Sequence, residues 1–148
     1  CKMIDTIARE PLWRHLINYR CGTGHSVSFV GNVHEGPHAL NSRNTTRMRP
    51  GMVVTDEPGV YETDLVGIRI ENELVCVHKA DNQYGTFLGF EPLMFVPIAT
   101  SPILPGELDK DEIAWLNDYH RQVFAKLAPH LNDEERSWLA EKCAAIGC

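Results

Sequence analysis

The stretch CGTGHSVSFVGNVHEGP (residues 21–37), followed by RMRPGMVVTDEPGVY (47–61) and GIRIENE (67–73), places three candidate metal ligands on short segments bounded by turns. His25 stands in a glycine-rich turn, Glu57 between an apolar run and Pro58-Gly59, and Glu71 in an alternating segment; His34 follows His25 by nine residues. Imidazole nitrogen and carboxylate oxygen in this mixture suit divalent metals when rigid backbone holds them. Each residue also has a plainer reading. His25 can be a hydrogen-bonded turn residue, and Glu57 and Glu71 can be ion-paired to nearby arginines, with Arg69 the natural partner of Glu71. A carboxylate at the end of an apolar strand must be ligated or paired, because burying it bare is costly. Residue types and spacing leave both readings open.

His34-Glu35, with His38 four residues after His34, suggests a shortened zinc-binding HExxH helix. Gly36-Pro37 forbids that helix, so the two histidines cannot share its face. His34 is left for proton transfer or hydrogen bonding, as histidines commonly serve, and His38 is expected to be a loop residue.

Working outward, residues 4–18 carry Ile4, Ile7, Leu12, Trp13 and Leu16 at helical spacing, with Pro11 as a kink or a new start. Gly22 and Gly24 allow a close backbone approach. Residues 27–33 form an apolar run suited to a strand or an extended loop, and residues 35–51 a loop ending at Pro50-Gly51. Residues 52–55 predict a short buried strand that delivers Glu57 at its end. Residues 68–77 predict a strand in which Arg69 and Glu71 share one face. Segments 86–90 and 93–98 predict further strands, followed by a turn at 102–106. Asp109 with Glu112, and Asn132 with Glu135, have the capping-box spacing for two helices joined near Pro129. Ile113, Leu116, Val123, Phe124 and Leu127 line the inner face of the first helix, and Trp138, Leu139 and Cys143 that of the second.

With 148 residues, 43% hydrophobic and 23% charged, the chain has the size and composition of a soluble globular protein with one ordinary core. Its net charge of -6 disfavours nucleic acid and acidic membranes as partners. No apolar run approaches the roughly 20 residues of a membrane span. Five cysteines at irregular spacing, without a CxxC pair, suggest a reducing, cytoplasmic setting. The first residue is Cys rather than Met, and the opening residues enter a helix already under way, so a piece of a longer protein is expected.

Taken in order, GTGHSVSFVGNVHEGP, PGMVVTDEPGVY and GIRIENE resemble the aminopeptidase P (Xaa-Pro aminopeptidase) branch of the "pita-bread" metallopeptidases, and the likeness extends over nearly the whole chain. It implies an α+β fold: the C-terminal half of a pita-bread (creatinase/aminopeptidase-like) domain over residues 1–100, with a curved, mostly antiparallel sheet and packed helices, then a helical extension over 107–148 forming a hairpin. It implies a hydrolase that removes an N-terminal residue preceding proline, using two divalent cations, commonly Mn2+, with Zn2+ or Co2+ as other candidates.

By motif, the resemblance puts His25, Glu57 and Glu71 at metal-ligand positions. His34 falls at a substrate and proton-transfer position, Tyr61 and Arg69 at positions beside the metals, and Glu57 also handles the proton of water. Cys21 stands where the family has a substrate-side histidine, and a thiol cannot reproduce imidazole's donor or size. Two family aspartates belong ahead of the first helix. Asp5, Asp56 and Asp64 do not substitute for them, so this chain is expected to supply three of five ligands, to bind metal weakly or not at all alone, and to be nearly inactive. A companion chain could complete it, and a homodimer through the catalytic region and tail is a further implied partnership. The alternative reading is a catalytically inactive binding or dimerisation module that retains the fold. Exposed apolar area along Ile113, Leu116 and Val123 would favour it.

Overall fold

The chain opens on a helix, alternates short β-segments with turns until Met94 and is mainly helical afterwards, and a computed structural model describes it over residues 1–147. Cys148, the last of the five cysteines, lies outside the described residues. The chain divides into two units, Cys1–Met94 and the segment from Phe95 onward.

In the first unit, α1 (Lys2–Arg14) is followed by β1 (Gly24–His25), β2 (Ala39–Leu40), β3 (Val53–Asp56), β4 (Gly59–Glu62), β5 (Val66–Arg69), β6 (Asn72–Asn82) and β7 (Gly85–Pro92). All pairings are antiparallel, in three small sheets ordered β1-β2, β3-β6-β7 and β4-β5. A bridge between Ser26 and Val54 ties the first sheet to the second. Tyr19, Leu40, Val54 and Cys76 are buried, together with the polar Asp5, Thr23, Ser26, His38 and Thr55. So polar a core depends on internal hydrogen bonds, since each unpaired buried group would cost about 1–3 kcal/mol.

Three expectations change here, and one left open is decided. The helix runs Lys2–Arg14 rather than to residue 18; Pro11 lies inside it, and Leu16 follows with a left-handed φ of 59°. Its buried residue is Asp5, while Ile7 and Leu16 are 70% and 97% exposed, because hydrogen bonds rather than apolar contacts dock this helix. Residues 27–33, left open between a strand and an extended loop, form a loop. Their backbone closes on itself through Ser28 N–H to Asn32 O (3.2 Å), leaving Phe29, Val30 and Val33 exposed. The expected strand 68–77 is two strands interrupted at Ile70-Glu71, because β5 pairs with β4 while β6 pairs with β3. The strand expected at 86–90 lies within β7, which continues through Pro92, whereas 93–98, expected as a further strand, is irregular.

The second unit is built on its caps. The Asp109 carboxylate accepts from the Asp111 and Glu112 amides (2.8 Å each), and Glu112 accepts in return from the Asp109 amide (2.9 Å), starting α2 (Lys110–Leu127). Asn132 and Glu135 repeat the reciprocal pair at 3.0 Å for α3 (Asp133–Lys142), after a 3-10 turn at Ala128–His130. Tyr119, Val123, Ala128 and Leu139 form the core, lined by Phe95, Ile98, Phe124, Leu127, Leu131 and Cys143. Asn117 Nδ2 donates to Ile146 O (3.0 Å) and its Oδ1 accepts from Ile146 N–H (2.9 Å), so the segment after α3 returns to α2. Trp138, expected inward, is 55% exposed, and Leu139 takes the core position.

His120 on α2 is fully buried; its Nε2 accepts from Ile98 N–H (3.1 Å), and its Nδ1 has no partner among the described residues. Burial holds this imidazole below its ordinary 6.5, against a smaller opposing effect of the Ile98 bond. The unfolded chain therefore binds the proton first. Stability from keeping His120 neutral is complete above about pH 6.5 and is lost as pH falls toward the folded value. Helical circular dichroism in thermal melts from pH 7 to 5 is expected to show a falling midpoint, and His120→Gln is expected to flatten that slope.

Candidate metal centre

Register brings the candidate residues together. Asp56 faces Asn72 across β3 and β6, and Gly59 faces Arg69 across β4 and β5. The connections Glu57-Pro58 and Ile70-Glu71 therefore leave one sheet and enter the next side by side. Both glutamates sit where strand pairing stops and side chains are free to converge. His25 comes in from β1, which is joined to β3 through the Ser26 bridge.

Glu57 is held at both oxygens. Oε1 lies 2.8 Å from His25 Nε2 and accepts from the Thr55 hydroxyl (3.0 Å); Oε2 lies 3.2 Å from Arg69 Nη1. The same Arg69 nitrogen is 3.6 Å from Glu71 Oε2, so one guanidinium joins both carboxylates. Arg69 is held above its ordinary range: desolvation, the largest single effect, opposes this, and Tyr61, Glu57 and Glu71 together outweigh it. Its guanidinium carbon lies 5.6 Å from the centre of the Tyr61 ring. Asp56, the neighbour of Glu57, has its carboxyl pushed up by burial alone.

His25 Nδ1 is 3.1 Å from the Ser26 carbonyl. A proton on Nδ1 satisfies that carbonyl and turns the Nε2 lone pair toward Glu57, so two electron-rich atoms face one another at 2.8 Å. A shared proton or a cation reconciles them. Orientation of a ligand imidazole by a backbone carbonyl on its other nitrogen is common at metal sites, and the donors here fit a divalent cation. His34 lies against His25, ring centres 3.8 Å apart at 74°. Donor atoms of His25, His34 and Glu57 all fall within 4.8 Å of one another.

These three line an open cavity of about 390 Å3 with Cys21, Asn41 and Arg69. Glu71 reaches the group only through Arg69, and Tyr61 lies behind Arg69, 54% exposed. Cys21 is exposed, its sulfur 3.8 Å from Gly59 O. On the other side of Cys21, a larger groove of about 890 Å3 between α1 and residues 41–44 is lined by Arg9, Arg20 and Arg43 and holds none of the histidines or glutamates of the centre. Residues 34–38 form no helix, and His38 is a loop residue as expected, though a buried one, its Nε2 2.7 Å from Val53 O.

Residue types alone did not single out Thr23 and Thr55. Thr55 Oγ1 accepts from His25 N–H (2.9 Å) while donating to Glu57, and Thr23 O accepts from Glu57 N–H (2.7 Å). Only their adjacency to His25 and Glu57 marked them.

The pattern of metallopeptidase family M24 matches residues 1–78, and that of the C-terminal region of peptidase M24 matches residues 86–146. Among curated relatives, a probable Xaa-Pro aminopeptidase P of Coprinopsis cinerea is 41% identical over 97% of this chain and 24% of its own length. Aminopeptidase P2 of Arabidopsis thaliana is 44% identical over 93% of this chain and 20% of its own length. The X-prolyl aminopeptidase of Caenorhabditis elegans, a cytosolic enzyme with a di-nuclear active site, superposes with a TM-score of 0.90 at 39% identity, over 98% of this chain and 25% of that one. The chain thus spans about a quarter or less of the length of these relatives.

Proposed function

The chain belongs to metallopeptidase family M24, on its aminopeptidase P branch, and we propose that it forms the histidine- and glutamate-bearing part of the active site of a metal-dependent Xaa-Pro aminopeptidase. The observation that carries this reading is the run His25–Glu57–Arg69–Glu71 beside His34 in an open cavity. The α+β fold with antiparallel sheets agrees with a partial pita-bread domain. Residues 1–100 are assigned to the catalytic region and residues 107–148 to a helical extension.

His25, Glu57 and Glu71 are the residues that would hold divalent cations, with manganese the favoured pair. When bound, such cations supply Lewis-acid polarisation of the scissile carbonyl. Arg69 fixes the two carboxylates. Glu57, kept in place by Thr55 and Arg69, takes the proton of the attacking water. His34 faces the peptide and carries a proton toward the departing proline nitrogen, while Cys21 borders the peptide's path. The substrate is a peptide with proline in second position.

Cytoplasmic residence is supported by the described cysteines, Cys1, Cys21, Cys76 and Cys143, all of which are free. No described helix is long and apolar enough to cross a membrane. A companion chain or a second copy as partner remains part of the proposal. The inactive-module alternative gains nothing from α2, whose Ile113, Leu116 and Val123 are 7%, 5% and 0% exposed.

Native material containing this sequence, characterised by intact mass and subunit composition, is expected to release the first residue of an Xaa-Pro peptide with Mn2+ and to stop in chelator. Glu57→Gln is expected to lower the rate at least about a hundredfold, the scale of losing a positioned acid–base group. Native material that takes up metal but leaves such peptides intact would favour the inactive module.

A further inference from the structure

We propose that the groove beyond Cys21 holds the part of the peptide that follows its proline, and that Arg20 and Arg43 select peptides with a carboxylate there, either an acidic side chain or the C-terminus itself. The proposal rests on the peptidase reading above and adds a substrate preference to it.

Charge carries the first step. The groove between α1 and residues 41–44 has a volume of about 890 Å3, and the charged residues along it are Asp5, Arg9, Arg20 and Arg43. Asp5 and Arg9 neutralise one another, with Arg9 Nε 3.1 and 3.0 Å from the two carboxylate oxygens. Arg20 and Arg43 are exposed, and among the described residues neither guanidinium has an ion pair or a hydrogen bond. Two uncompensated positive charges thus border one groove, in a chain whose net charge is -6.

Fixed backbone carries the second step. Arg20 lies between Tyr19 and Cys21, whose carbonyls accept from Arg9 at 2.7 and 2.6 Å. Arg43 lies in a turn where Asn41 Oδ1 accepts from the Arg43 and Asn44 amides at 3.0 and 2.9 Å, while Asn44 Nδ2 donates to Pro37 O at 2.9 Å. Binding therefore has only the two side chains to order. Each guanidinium presents a planar fork of donors that matches both oxygens of a carboxylate.

Continuity identifies the ligand. Cys21, Gly22 and Asn41 line both this groove and the cavity that holds His25, His34 and Glu57. A peptide cleaved at the metal centre, with its chain running past Cys21, enters the groove with the residues after its proline. A free phosphate would match the charge alone; a peptide matches charge and path.

The experiment uses native material containing this sequence and a series of Xaa-Pro hexapeptides. Three are amidated at the C-terminus and carry glutamate, alanine or lysine at the last positions; a fourth is the alanine peptide with a free C-terminus. KM is read with Mn2+. Kd is read by fluorescence anisotropy of labelled peptides in chelator, where cleavage is stopped and no metal takes the carboxylate. The glutamate peptide is expected to show KM and Kd at least about threefold below those of the alanine amide, the scale of solvent-exposed ion pairs, and the lysine peptide to bind worst. The free C-terminus separates the two sources of the carboxylate: tighter binding than the amide assigns the terminus to the groove, and equal binding assigns the acidic side chain alone. Arg20→Glu with Arg43→Glu is expected to reverse the order, and Arg20→Gln with Arg43→Gln to level it. Circular dichroism checks the fold of each variant.

Equal Kd for the glutamate, alanine and lysine peptides, or an order that survives the charge reversal, would overturn the proposal, while cleavage of the series would still uphold the peptidase reading. Binding ordered by charge and reversed by the Glu variants, without cleavage of any peptide, would uphold the groove's ligand and fail the peptidase reading.

Discussion

Gly24→Ala is expected to destabilise the first unit by about 3 kcal/mol or more, at or beyond the upper end of ordinary overpacking, lowering its melting midpoint by about 12 °C or more. A β-carbon at Gly24 would stand 1.8 Å from the Thr55 carbonyl oxygen and 2.7 Å from its carbon. Neither partner can yield cheaply. Thr55 is paired with Glu73 in the register of β3 and β6, and its neighbour Val54 is fully buried. Gly24 is itself paired with Leu40 in β1 and β2. Relief therefore requires β1 to part from β3. That breaks the His25 N–H bond to Thr55 Oγ1 and the Glu57 N–H bond to Thr23 O, the two bonds that set His25 and Glu57 against one another. Gly22→Ala is the control: its nearest obstacle is Leu40 O at 3.4 Å, an ordinary contact, and a change under about 1 kcal/mol is expected. If the two variants melted together, the close approach of β1 to β3 would not be what limits residue 24.

The same close approach explains why part of the centre was legible in the sequence and part was not. His25, Glu57, Glu71 and Arg69 stood out because each chemical type occurs beside a glycine, a proline or a strand end, where local rules place a side chain with little help from tertiary structure. The capping boxes at Asp109–Glu112 and Asn132–Glu135 were legible for the same reason: their bonds span three residues. What periodicity got wrong was set at long range. Ile68 and Ile70 look like one face of a continuous strand, yet the chain changes sheets at Ile70-Glu71, a choice made by the partners β3 and β4. Residues 27–33 have strand-like composition, but their backbone bonds run within their own loop and to the Ser26–Glu35 closure. Glu57 and His25 are 32 positions apart, and Thr55, which joins them, is one threonine among many until the sheets are assembled.

Asp5→Ala is expected to cost about 3–5 kcal/mol, the scale on which removing one partner strands a buried charge. Apolar periodicity predicts that α1 docks through its isoleucines; it docks instead through an ion pair. Asp5 is 1% exposed and receives Arg9 Nε at 3.1 and 3.0 Å on its two oxygens and the Thr23 hydroxyl at 2.6 Å. Arg9, whose side chain is 11% exposed, reaches on to Tyr19 O (2.7 Å), Asn18 Oδ1 (3.0 Å) and Cys21 O (2.6 Å), with its guanidinium 3.9 Å over the Tyr19 ring. The pair thus fixes the backbone from Asn18 to Thr23 that delivers Gly24 and His25. Without Asp5, Arg9 keeps its carbonyl partners but loses its counter-charge, and Thr23 loses an acceptor two residues before His25. Asp5→Asn keeps volume and an acceptor for Thr23, so an intermediate loss is expected. The double change Asp5→Leu with Arg9→Met removes both charges and is expected to recover much of the stability, as apolar replacements of buried pairs often do. It is not expected to restore the centre, because no group then holds Tyr19 O and Cys21 O. Urea unfolding and Co2+ uptake on this set separate the two effects. If the double variant regained stability and metal uptake together, Arg9 would be scaffold for the core rather than the group that positions the His25 turn.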